Sequence, residues 1–309
     1  MAANPLLLHP WPTLPPPLDD KLQALRDWMQ ALPGAVTAFS GGVDSALVAY
    51  MAHRVLAERA LAVTADSPAL TRQDLDLTRQ LAQQWCMAHQ VIRTAEMQNP
   101  SYQSNPANRC LYCKSELYSR LAALAQAQPF PAVLLSGTNA DDLHDHRPGL
   151  EAAQQHGVRH PLAQLGITKP LVRQLALALG LPNHHKPQTP CLASRVAYGI
   201  PLSPQLLQRI EIAEDALRAL GFSTLRLRHH GTMARLEVPL AEMETALRQR
   251  EAITAIARQQ GWNYITLDLE GFRSGNLNVG EGVALPHTPS HRGPKAPEPP
   301  VRDRVGTST

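Results

Sequence analysis

Ser40-Gly41-Gly42-Val43-Asp44-Ser45 stands between an apolar run, Ala35-Val36-Thr37-Ala38-Phe39, and the stretch Ala46-Leu47-Val48-Ala49-Tyr50-Met51-Ala52. The first flank reads as a buried strand and the second as the opening turns of a helix. The hexapeptide is therefore a strand-to-helix turn. Two glycines let its backbone take angles that other residues avoid, and let a ligand come close. The unsatisfied amides of the helix start, with Ser45 expected to point outward beside them, form an anion cradle. The helix dipole adds roughly 0.3–1 kcal/mol in favour of negative charge there. No Lys follows the glycines, so this is not the GxxxxGK[ST] loop. A plain glycine-rich turn capped by Ser or Asp is the competing reading.

Outward from this turn, strands and helices alternate. Leu18 to Leu32 reads as a helix with Leu22, Leu25, Trp28, Met29 and Leu32 on one stripe. Ala60 to Ala65 is a second strand, ending in Asp66-Ser67-Pro68. A helix from Thr71 to His89, a strand from Gln90 to Thr94 and a helix from Cys110 to Gln126 follow. Ala132 to Ser136 is a fourth strand, ending in Gly137-Thr138-Asn139-Ala140-Asp141-Asp142. Thr168 caps a helix that runs to Leu179 and closes at Gly180. This alternation predicts the α/β class, a parallel sheet with helices on both faces. Ligands bind such sheets beyond the carboxyl ends of the strands, where the loops after strands one, two and four carry their polar clusters.

After about residue 200 the pattern changes. Ser203 and Pro204 open a helix to Leu220, stopped by Gly221. Phe222 to His229 and Met233 to Val238 read as strands about Gly231, Leu240 to Gln260 as a helix, and Tyr264 to Leu269 as a last strand. The expected division is a loose Pro-rich arm at 1–18, a nucleotide-binding domain at 19–200, a small α+β domain at 201–272 and a disordered tail at 273–309.

Composition narrows the function. A net charge of +3 is too small to argue for a nucleic-acid partner. Four cysteines in 309 residues do not make a disulfide scaffold, and the Cys110-x-x-Cys113 spacing points to metal or redox chemistry instead. No secretory leader and no span-length apolar run is evident, so a cytoplasmic protein without a membrane partner is expected.

The site residues follow from chemistry. Asp44 sits beside phosphates it should repel, so it is expected to bind a magnesium ion on them, with Asp142 and Asp141 able to join. A solvated helix start is the plain alternative for Asp141 and Asp142. Asp66 is placed to hold the adenine or ribose, or to be an ordinary turn residue. Cys86, next to Trp85 in a helical stretch, reads as a buried apolar residue. Cys110, Cys113 and Cys191 remain. Three thiolates suit a [4Fe–4S] cluster, which leaves one iron without a protein ligand. Zinc with a histidine as fourth ligand, and a redox pair, stay open. Arg109, Lys114 and Arg195 are expected to lower the thiol pKa values. Arg226 and Arg228 leave one face of a strand as a fork for a phosphate, or as a solvated face.

Two resemblances sharpen this. The SGGVDS stretch, Ser40 to Ser45, resembles the pyrophosphate loop of the PP-loop ATP pyrophosphatases. That implies binding of ATP with Mg2+ at Ser40, Gly41, Gly42, Asp44, Ser45 and Gly137, and cleavage to AMP and pyrophosphate. More widely, Asn108 to Lys114, Gly137 to Leu143, Arg147-Pro148-Gly149, Lys186-Pro187, Pro190 to Arg195, Tyr198-Gly199 and the Arg226/Arg228 strand resemble the LarE family of ATP-dependent sulfur transferases. The resemblance spans roughly residues 20 to 275 and is most specific at Pro190-Cys191-Leu192-Ala193-Ser194-Arg195. It implies adenylation of a carboxylate of pyridinium-3,5-biscarboxylic acid mononucleotide, then sulfur transfer, in nickel-pincer nucleotide synthesis. It also implies a catalytic Cys191, a role for Arg195, an acidic residue near the sulfur donor at Glu214 (and Glu211), an external sulfur donor and a homo-oligomer. The added pair Cys110 and Cys113 resembles the cluster-bearing version. A sacrificial Cys191 that becomes dehydroalanine stays open.

A PP-loop tRNA thiolase is the nearest rival and would need a basic surface or an RNA module. An amidating NAD or GMP synthetase needs no cysteine trio. A nucleotide sensor without catalysis is the third alternative.

Overall fold

The computed structural model describes residues 10–144 and 148–273. Arg147 and the expected tail from residue 274 lie outside them.

Four strands form the first sheet: β1 (Ala35–Ala38), β2 (Ala60–Asp66), β3 (His89–Arg93) and β4 (Val133–Leu135). They are all parallel, in the order β3-β2-β1-β4. The α/β class is as predicted. Helices α1 (Leu18–Gln30), α2 (Val43–Leu56) and α3 (Arg72–Gln84) alternate with the strands. They are followed by α4 (Arg109–Gln126), α5 (Pro148–Gln155) and α6 (Lys169–Ala178). Successive strand residues enter different cores, because side chains alternate across a strand. Ala35, Ala62 and Leu135 pack with α1, α2, α3 and α6. Val36, Val63 and Leu134 pack with Tyr118, Leu121, Ala152 and Ala153 of α4 and α5. Both faces are thus covered, which is why these strands read as unbroken apolar runs. The chain builds outward from β1 to β3, then returns to place β4 on the other side of β1. That reversal opens a crevice at the carboxyl ends of β1 and β4.

Several local expectations change. Helix α3 stops at Gln84, with Trp85 as its C-cap, so Cys86 is not mid-helix. Cys86 has φ +49° and is exposed, while Trp85 enters the core against Phe39 and Tyr50. Residues 10–18 are not a loose arm. The Trp11 ring lies between the Arg26 and Arg54 guanidiniums, 4.5 and 3.9 Å from its centroid, a cation–π arrangement that ties the segment down. Thr168 makes no side-chain cap to α6. Asp141 does it instead, its Oδ2 accepting the Lys169 amide at 2.7 Å.

The second sheet joins β5 (Arg226–His230), β6 (Met233–Glu237) and β7 (Tyr264–Leu267), with β5/β6 antiparallel and β6/β7 parallel. Helix α7 (Pro204–Arg218) is capped by Ser203, whose Oγ accepts the Leu206 amide at 3.1 Å. It buries Leu207, Ile210, Ala213 and Leu217 against Leu227, Leu236 and Trp262. The expected helix over 240–260 is broken into a turn, a short helix and α8 (Arg250–Gln259). Gln249 stands at the joint, its side chain donating to the Leu220 carbonyl at 3.2 Å. The segment near residue 200 is held on both sides. Ala197 donates to the His229 carbonyl at 3.1 Å, Gly199 to that of Asn105 at 3.0 Å, and Leu202 to that of Gln103 at 2.8 Å. Among the described residues no helix is long and apolar enough to cross a membrane.

Candidate active site

The Ser40–Ser45 loop leaves β1 at the crevice and enters α2. Gly41 has φ +74°, a conformation open to glycine. Ser45 does not point outward: it is buried, donates to the Gly42 carbonyl at 3.0 Å, and accepts the Ser40 amide at 3.2 Å. The Ser40 and Ser45 hydroxyls lie 3.1 Å apart. The two hydroxyls tie the ends of the loop together, and the groups able to receive an anion are the backbone amides at the start of α2. Gly137 closes the other wall. A Cβ on it would stand 2.5 Å from the Ser45 amide nitrogen, so only glycine lets the β4 loop come this close.

Asp44 faces this crevice. Its Oδ1 accepts from the Asn139 side chain at 3.1 Å, and its Oδ2 pairs with the Lys169 ammonium. The Asn139 amide in turn donates to Asp142 Oδ2 at 3.0 Å. Asn139 thus joins the two carboxylates expected to hold magnesium, and hard oxygen donors are what that ion takes. Asp141 is committed to α6. Lys169 and Asn139 were not expected in the site. Lys169 approaches from 125 residues away, which no local pattern reveals. Asp66, at the end of β2, is paired with Arg72 Nη1 at 2.6 Å.

Cys110 and Cys113 share a face of the first turn of α4, three residues apart. Cys191 precedes a short turn, Leu192–Arg195, whose Leu192 amide donates to the Ala69 carbonyl at 2.8 Å. That bond hangs the Cys191 loop from the loop after β2, at the carboxyl end of the first sheet. Cys110 and Cys191 are exposed and Cys113 is half-buried. The Cys113 thiol is pushed up to about 12, first by burial and then by Glu96, Cys191 and Cys110, with Lys114 opposing. Lys114 lowers the Cys113 pKa as expected, but burial outweighs it. Arg109 is turned instead to Asn105 and the Tyr198 ring, and Arg195 to Glu214. The Lys114 pKa is raised, by Tyr118 first and then by all three thiols against burial. The three cysteines therefore share one electrostatic neighbourhood. Among the described residues, no three His, Cys, Asp or Glu side chains are grouped so as to hold a metal ion.

Beneath Cys191 lies a buried charge network. Arg195 donates to the carbonyls of Pro190 at 2.6 Å and Cys191 at 3.5 Å. Glu214, fully buried, receives Arg195 at 3.0 and 3.3 Å, Arg218 at 2.9 Å and the Leu227 amide at 3.0 Å. With these acceptor positions taken, Glu214 meets the Cys191 loop through Arg195. Glu211 receives the Arg72 amide, joining α7 to α3; burial raises its pKa against that bond.

Arg226 and Arg228 are both buried, so their strand face is not solvated. Arg228 is already committed to Glu237, at 2.9 and 3.2 Å, and to the Ser194 carbonyl at 2.6 Å. Arg226 bonds the Arg273 carbonyl at 3.3 Å and lies over the Phe272 ring; Glu237 and Glu214 are near enough to act on its charge, yet among the described residues neither is hydrogen-bonded to it. Burial, then the nearby Arg228 and Arg195, lowers its pKa to about 10. Of the two, Arg226 is the guanidinium with capacity left for an anion.

The NAD synthase family profile matches residues 20–143, the nucleotide-binding half just described. An uncharacterised protein of Synechocystis is 44% identical over 263 residues, covering 84% of this chain and 98% of that one. An uncharacterised protein of Methanocaldococcus jannaschii is 25% identical over 239 residues, covering 77% and 90%. The pyridinium-3,5-bisthiocarboxylic acid mononucleotide synthase of Lactiplantibacillus plantarum is 36% identical over 256 residues, covering 82% of this chain and 91% of that enzyme. The match crosses both sheets, and by its extent and identity this chain belongs to the pyridinium-3,5-bisthiocarboxylic acid mononucleotide synthase (LarE) family.

Proposed function

We propose that this protein is an ATP-dependent sulfurtransferase acting on pyridinium-3,5-biscarboxylic acid mononucleotide, with ATP and Mg2+ as cosubstrate and cofactor. One observation carries the reading beyond the family name. The Cys191 loop is bonded to the loop after β2, so a sulfur atom stands at the same sheet edge as the pyrophosphate cradle. A carboxylate oxygen of the substrate attacks the α-phosphorus of ATP, and pyrophosphate leaves toward the amides at the start of α2. Asp44 and Asp142 would hold the magnesium, and Lys169 adds positive charge beside the leaving phosphates. Arg226 takes the substrate phosphate, a charge-assisted contact on the order of 1.5–3 kcal/mol. Sulfur then attacks the acyl carbon and AMP departs, leaving the thiocarboxylate.

Within this reading Cys110, Cys113 and Cys191 would hold a [4Fe–4S] cluster. The shared neighbourhood of the three thiols and Lys114 supports it. Bound there, the cluster supplies an iron without a protein ligand. The exposure of Cys191 equally favours a second reading, in which its own sulfur is surrendered.

The test is direct. AMP and pyrophosphate should form only with the mononucleotide present; ADP would refute the reading. Anaerobic reconstitution should give about four irons per chain, lost in Cys113→Ala and kept in Cys86→Ala. Intact-protein mass after turnover then separates the sulfur sources. A loss of about 34 Da at Cys191, the mass of hydrogen sulfide, identifies the surrendered thiol.

A further inference from the structure

The Gly41 carbonyl receives two donors from outside its own loop. Asn183 donates from Nδ2 at 3.0 Å and Lys186 from Nζ at 3.4 Å. Lys186 is itself steadied by an ion pair with Asp74 of α3. Both donors lie on the segment after α6, and Arg173 of α6 fixes that segment. Its Nη1 donates to the His184 carbonyl and its Nη2 to the Lys186 carbonyl, each at 2.8 Å. Asn183 is 4% exposed, and its Oδ1 has no partner among the described residues. A polar side chain buried so fully, with one end unsatisfied, is held there at some cost. Among the described residues its side chain makes one bond, to Gly41, and that is what it gives in return.

Peptide geometry turns this contact into a statement about the cradle. The Gly41–Gly42 peptide is trans and planar, so its C=O and N–H point in opposite directions. A carbonyl drawn toward Asn183 and Lys186 sends the Gly42 N–H the other way. Among the described residues that N–H meets no acceptor. With glycine on both sides, nothing in the loop's own side chains stops the peptide from swinging over.

We propose that Asn183, Lys186 and Arg173 are positioning residues, which keep the Gly41–Gly42 peptide oriented with its N–H toward the β- and γ-phosphates of ATP. The inference rests on the reading of the loop as a pyrophosphate cradle. It separates two ligands that share one site: pyrophosphate needs this N–H, whereas AMP, lacking both distal phosphates, does not.

Calorimetric titration of the whole protein with inorganic pyrophosphate and, separately, with AMP tests it. Asn183→Ala should weaken pyrophosphate fivefold or more and change AMP by less than twofold. Arg173→Lys, which can keep one of the two carbonyl bonds, should give an intermediate loss, and Arg173→Met the full one. Should Asn183→Ala fail to fold, the graded Arg173 pair carries the test alone. Equal weakening of both ligands marks general loosening and overturns the inference, as does unchanged pyrophosphate binding. A parent protein that binds neither ligand overturns the cradle itself and this inference with it. A parent that binds pyrophosphate, with variants that bind it equally, overturns the positioning role alone.

Discussion

At Gly137 one methyl group decides whether two loops fit. Its Cβ would meet the Ser45 nitrogen at 2.5 Å and the Asp44 carbonyl carbon at 2.8 Å, both backbone atoms that cannot rotate aside. Gly137→Ala should therefore cost about 1–3 kcal/mol of stability through overpacking. It should also weaken ATP binding, because the atoms displaced belong to the cradle; a melting curve and an ATP titration check both. At this scale the sequence was legible where a residue acts through its own backbone, as Gly41 does. Ser45 was misread because its partners, Ser40 and Gly42, fold over it only in three dimensions. Cys86 was misread because the helical pattern was carried past Gln84, and Trp85 alone takes the core position. Lys169 was invisible, since no spacing rule links it to Asp44.

Strands and helices tell a similar story one level up. The alternation of Arg226 and Arg228 placed both on one face, but their environment was set by β6, which brings Glu237 opposite Arg226 in register and bonds it to Arg228. Strand β5 also carries His229 into the core. Trp262 Nε1 donates to its Nδ1 at 2.9 Å, and the Arg209 guanidinium lies over the Trp262 ring. Burial, then Arg209 and His230, lowers the His229 pKa from 6.5 to about 4. Between those values the unfolded chain binds a proton that the folded chain refuses, so stability present above pH 6.5 is lost as the pH falls toward 4. Urea melts across that window should show this slope, and His229→Gln should reduce it by up to one proton. The break at Gln249 within the expected long helix has a comparable origin. Its side-chain bond to Leu220 comes from another element, and helical periodicity carries no trace of it.

For the whole molecule, strand alternation was enough to foresee the parallel sheet and the edge at which the Ser40–Ser45 loop stands. The strand order, and with it the crevice between β1 and β4, came only with the return of β4 to the far side of β1. What the sequence did not disclose is how the chain passes from one sheet to the other. The change of pattern near residue 200 was read as a domain boundary, and there Ala197, Gly199 and Leu202 are each bonded to a distant backbone carbonyl. Co-expression of residues 10–200 and 201–273 as two chains should accordingly yield a complex that survives gel filtration, with neither piece soluble alone. Two independently soluble pieces would contradict it. This stitching bears on how such enzymes can be shuffled by recombination. A crossover at residue 200 looks convenient on paper, but it would part His229 from the Ala197 that it holds, and the Cys191 loop from the strand that braces it. The second sheet is not a cassette. It can be inherited or exchanged only with residues 190–202, and with Gln103 and Asn105 kept to match.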